Sequence, residues 1–165
     1  MRALPLFVLL LPVAAVTQTL AQSLPDSLAE SHLSRGFCYE MVLTHEELLA
    51  APDRQLAALR LERRIMGAMV APGNVAMDVM VRLRGEASLR AGREIEATAR
   101  CRPKPEGLRC SVDGDGGAFF LRAEGTDLRW TVEDDGIVVE DWRGTQRLSG
   151  EATGPDREAI LRPCS

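Results

Sequence analysis

Aromatic side chains are scarce in this sequence: Tyr39 is the single tyrosine, Trp130 and Trp142 are the two tryptophans, and four phenylalanines complete a 4% share of 165 residues. Sugar- and peptide-binding platforms lean on such rings, so a broad aromatic recognition surface is not available. Lysine is nearly absent, Lys104 being the only one, and this bias toward arginine fits a GC-rich bacterial genome. Positive charge does not dominate either. The 20 Lys and Arg residues face 24 Asp and Glu, leaving a net charge of −4. Nucleic-acid binding needs a basic footprint, so nucleic acid is excluded as a general partner. No Cys-x-x-Cys pair occurs, which removes both the depressed thiol pKa of redox catalysis and the close ligand pairs of a zinc site.

One long apolar run is present, at the start. Arg2 gives a short positive region, Ala3 to Val16 is uncharged, and Thr19-Leu20-Ala21 supplies small residues at a signal-peptidase site. Residues 1–21 therefore read as a signal peptide cleaved after Ala21. The run is shorter than the roughly 20 apolar residues of a membrane helix, and nothing later in the chain is apolar enough to span. The expected mature protein is periplasmic or secreted and one domain by size.

Residues 22–35 are polar and unpatterned and read as a flexible leader, with a single β domain over 36–165. Gly36 to Leu43 looks like a first strand. Thr44 and Glu47 form a capping-box pattern over one or two helical turns that Pro52 stops. Gln55 to Val70 is ambiguous between helix and strand. Val75, Met77, Val79, Val81 and Leu83 then alternate with mostly smaller or polar residues, as do Glu94 to Cys101 and Leu128 to Glu133. Turn signals separate these runs: Pro72-Gly73-Asn74, Glu106-Gly107, Asp113 to Gly117, Glu124-Gly125, Asp135-Gly136 and Gly154-Pro155. The fold class is mainly β: an antiparallel meander of about eight or nine strands, as a small barrel or a two-sheet sandwich, with one short N-terminal helix.

Four cysteines in an exported chain favour disulfides. Cys101 and Cys110 lie on neighbouring predicted strands, so a bridge there clamps a hairpin. Cys38 and Cys164 then tie the first strand to the chain end.

Candidate sites are few. Asp113 and Asp115 on a glycine-rich loop can offer hard oxygen ligands to a metal. Gly117 and Ala118, however, stand where a calcium loop places an oxygen ligand and its turn glycine, so a tight hairpin loop explains the segment. His32 and His45 lack a nucleophile-elbow context and read as surface residues. Glu133, Asp134, Asp135, Glu140 and Asp141 surround the expected Asp-Gly turn, where exposure leaves no carboxyl desolvated for acid catalysis. Arg60, Arg82, Arg84, Arg100 and Arg102 can form a basic stripe, with Arg82 and Arg100 as candidate ligand contacts. Glu62, Asp78, Glu94 and Glu96 are interleaved with them, and cross-strand charge pairing accounts for that pattern.

Cys38-Tyr39, the short helix ending near Ala51-Pro52-Asp53, the Cys-x8-Cys pair and the Asp113-Gly114-Asp115-Gly116-Gly117 run with Phe119 resemble small exported alphaproteobacterial proteins of unknown function. The resemblance implies a secreted β domain and no particular activity. The resulting expectation is a non-enzymatic protein without cofactor that binds an envelope protein or a small ligand. The alternative is a metal-dependent or hydrolytic envelope enzyme using the Asp113/Asp115 loop.

Overall fold

The computed structural model describes residues 28, 32, 33, 36–64, 74–84, 94–141, 144–148 and 154–165. The expected signal peptide, most of the leader, the Pro72-Gly73 turn and Trp142 lie outside them. The elements run β1 (Cys38–Val42), α1 (His45–Ala50), β2 (Leu56–Arg63), β3 (Val75–Leu83), β4 (Glu94–Lys104), β5 (Gly107–Val112), β6 (Gly117–Glu124), β7 (Asp127–Asp141), β8 (Gly144–Leu148) and β9 (Glu158–Pro163). Strands β1 to β7 are neighbours in chain order, and β9 lies between β7 and β1. Eight antiparallel strands thus close into a barrel, with β8 outside the ring on the second half of β7. The choice between barrel and sandwich resolves as a barrel.

The period-two pattern produces this shape directly. In β3 the residues Val75, Met77, Val79, Val81 and Leu83 all turn inward and are buried, as do Leu128, Trp130 and Val132 of β7. The ambiguous stretch after Gln55 enters as a strand, with Leu56, Leu59 and Leu61 fully buried. Trp130 and Phe119 are the largest fully buried side chains, their ring centroids 6.0 Å apart. Withdrawing one such side chain from water stabilises the fold by roughly 1.5–3 kcal/mol.

Both mouths of the barrel are covered. At the end where β1 begins, Leu28, Leu33 and Phe37 join the core. His32 stacks on Tyr39 with centroids 5.9 Å apart. A carbonyl only accepts, so His32 Nε2 is the protonated nitrogen in its 3.0 Å contact with Gly125 O. His32, expected at the surface, is only 4% exposed, because Leu28 and Leu33 bury beside it. Burial pushes the Tyr39 phenol above its usual range, and Asp127 adds to the shift.

At the other mouth β7 bends. The expected Asp135-Gly136 hairpin turn is instead a kink inside one long strand. Phe119 pairs with Val132 but Gly117 pairs with Ile137, so β7 carries extra residues past Ala118 and turns toward β8. Glycine is required at the close approach: Gly117 has φ +79, and a Cβ there would lie 2.0 Å from Gly136 O. Beyond the kink Ile137, Val139 and Leu148 enter the same core.

Both disulfides pair as expected. Cys101 and Cys110 face each other directly across the β4–β5 ladder and are fully buried. Cys38 bonds Cys164 across a sequence separation of 126, joining the start of β1 to the end of β9.

Candidate functional site

The barrel is least complete where the chain ends meet. Strands β3 and β4 share eight residue pairs, whereas β1 and β9 share only Tyr39↔Pro163 and Glu40↔Arg162. Proline has no N–H to donate. Above this short ladder stand the Cys38–Cys164 bridge and a hydrogen bond from Cys164 N–H to Cys38 O at 3.1 Å.

Backbone phase shows what is missing below it. Leu43 N–H donates to Ala57 O and Arg63 N–H donates to Phe37 O. Odd-numbered residues of β1 therefore direct their N–H and C=O groups at β2, and even-numbered ones at β9. Val132 N–H donates to Arg157 O, so on β9 it is Glu158, Ile160 and Arg162 that face β1. The next rung after Glu40↔Arg162 would join Val42 to Ile160, and the ladder stops before it. Lower still, side chains replace the partner strand. Glu47 Oε2 accepts from Thr44 N–H at 2.7 Å, and Arg54 Nη2 donates to Glu158 O at 3.2 Å.

The gap opens into a groove of about 430 Å³, whose lining includes Met41, Val42, Ile160, Arg54 and Arg162. Arg54 is positioned by Asp156, itself 4% exposed, whose two oxygens accept from the Gln55 and Leu56 amides at 2.9 Å each. Arg54 Nε is 3.8 Å from that carboxylate, buried and without a hydrogen-bond partner. Glu47 is held below the usual carboxylate range by the Thr44 amide and hydroxyl, with Arg162 and Arg54 adding to the effect. Arg129 forms a two-bond clasp on Glu124 and reaches Glu158 at 2.9 Å; these bonds raise its pKa, Glu124 contributing most. Arg162 is exposed and enters no salt bridge among the described residues. Val42 stays 55% exposed at the groove wall.

The candidates read from sequence lie elsewhere. Asp113 and Asp115 sit on the β5–β6 turn, and Arg100 Nε pairs with Asp113 at 3.3 Å. Among the described residues no group of three or more His, Cys, Asp or Glu is placed to hold a metal ion. Arg60 pairs with Glu62 on its own strand, and Arg84 donates to the carbonyls of Ala51 and Pro52. Arg82 stands in register with Ala58 and Glu94, and Arg102 with Arg109. The proposed stripe thus carries committed cations at Arg60, Arg84 and Arg100. Glu133 is not at a solvated tip: Arg109, reaching from β5 across β6, grips both its oxygens at 2.6 and 2.7 Å. The hydrogen bonds to Glu133 raise the Arg109 pKa.

Val42, Ile160, Arg54 and Arg162 carry no local motif, so the groove escaped sequence reasoning. The one signal nearby was the Thr44/Glu47 capping box, which marks where β1 ends.

Together these features define a disulfide-stapled, closed eight-stranded antiparallel barrel with a groove in its last seam. In comparisons with known proteins, no family model, curated protein or solved structure matches the chain.

Proposed function

We propose that this chain is an exported, non-enzymatic binding protein whose partner or ligand enters the β1–β9 groove. The missing Val42–Ile160 rung carries the reading. Unpaired strand edges are normally covered or blunted, and here one is left facing a groove of ligand size. Two disulfides suit an oxidising compartment, and among the described residues no helix is long and apolar enough to cross a membrane. Hydrolysis or metal chemistry at Asp113 and Asp115 has less support, because Arg100 already occupies Asp113.

Photo-crosslinking residues placed at Val42 and Ile160 in producing cells test the proposal, with Arg102 and Arg122 as positions on other faces. The expected result is an adduct of reproducible mass from the groove positions, lost in an Arg162→Glu background. Equal adducts from all four positions, or none from the groove, would overturn it.

A further inference from the structure

We infer that the Cys38–Cys164 bridge is a thiol–disulfide exchange site for a dithiol reductant, and that its oxidation state sets whether the β1–β9 seam is closed. The inference goes beyond the binding role of the groove and does not depend on what fills it. The two bridges lie on opposite faces of the barrel wall. Cys101 and Cys110 belong to the inward rows of β4 and β5, are fully buried, and sit in the core with Phe119, which stands opposite Cys110 on β6. On β1 it is Tyr39 that turns inward, so Cys38 lies on the outer face. Both Cys38 and Cys164 are half-buried. Exchange requires a thiolate to reach a disulfide sulfur, and the outer bridge is the one that solvent reaches in the folded barrel.

The consequences of breaking them differ too. Strands β4 and β5 keep six residue pairs around Cys101 and Cys110. Strands β1 and β9 share two pairs, and the further bond from Cys164 N–H to Cys38 O joins the bridged residues themselves. A thiolate of the reductant attacks one sulfur of the outer bridge, forming a mixed disulfide and releasing the other sulfur as a thiolate that takes up a proton. The second thiolate of the reductant then closes the reductant's own disulfide and releases the remaining cysteine, which is protonated in turn. Two electrons and two protons pass to Cys38 and Cys164. Reduction does not leave the two sulfurs equivalent. Cys38 stands in register with Glu62, whose Oε1 lies 3.7 Å from Cys38 Sγ. The disulfide sulfur carries no proton, but the reduced S–H gains this acceptor. Glu62, itself paired with Arg60, thus holds Cys38 as a thiol and leaves Cys164 as the reactive sulfur.

The test exposes the fully oxidised, folded protein to dithiothreitol, quenches it at intervals with iodoacetamide, and maps the alkylated cysteines by peptide mass. Cys38–Cys164 should be lost at least about tenfold faster than Cys101–Cys110, which opens only with the barrel. Amide hydrogen exchange of the singly reduced protein should show lost protection in β1 and β9, regained when glutathione disulfide re-forms the bridge. Equal rates for the two bridges, faster loss of Cys101–Cys110, or unchanged protection at β1 and β9 after reduction would each overturn the inference. Limiting iodoacetamide on the singly reduced protein should label Cys164 severalfold more than Cys38, and Glu62→Gln should bring the two together. Equal labelling in the wild type would overturn the role given to Glu62. The wild-type reduction rates decide the exchange site by themselves, whether or not that variant folds.

Discussion

Gly117 and Gly125 show how much a single residue's surroundings matter. Both adopt left-handed backbone angles, φ +79 and φ +65. A Cβ on Gly125 meets open space, while on Gly117 it meets Gly136 O at 2.0 Å. Gly125→Ala should therefore cost only the backbone term of about 1–2 kcal/mol. Gly117→Ala adds a backbone clash and should cost at least about 2 kcal/mol more. Urea unfolding of the two variants checks this, and equal losses would contradict the close packing of the β7 kink. The sequence marks both positions as turn glycines. What it does not display is the partner: Gly136 lies nineteen residues away, at a kink whose Asp-Gly dipeptide has the local signature of a hairpin.

Elements with local causes were legible. Helix α1 spans His45–Ala50 with Thr44 as its cap, and both halves of the capping box form. Its stability should depend on pH with a definite sign. The Glu47 carboxyl titrates below its ordinary value of 4.5 in the folded chain, so the unfolded segment binds protons first on acidification. The contribution is present above that ordinary value and is lost as pH falls through the lowered one. Protection of the Thr44 N–H, its exchange rate referred to the intrinsic rate at each pH, should fall across that acidic window in the wild type, and Glu47→Gln should remove that fall. An unchanged pH dependence in the variant would contradict the capping role. Strands such as β3 were equally plain, because inward and outward residues alternate along one stretch of chain. β7 was not, since its continuation past Asp135 is decided by pairing with β8 and by burial of Ile137 and Val139.

At the scale of the whole molecule, alternation predicts a meander but does not say whether its ends meet. Closure here depends on two residue pairs and one disulfide between residues at opposite ends of the domain, an arrangement without a local signature. The groove was illegible for the same reason, since its walls come from β1, β9 and the segment before β2. The two bridges act differently. In the chain-entropy description, Cys38–Cys164 stabilises by about 5 kcal/mol and Cys101–Cys110 by about 3 kcal/mol. The longer one also lies at the seam with the fewest rungs, so it is the latch of the barrel. Amide hydrogen exchange of a Cys38→Ser/Cys164→Ser variant against the oxidised wild type tests this most directly. The expected result is lost protection in β1 and β9 while β2, β3 and β4 keep theirs. Uniform loss across all strands, or unchanged protection at β1 and β9, would contradict a latched seam.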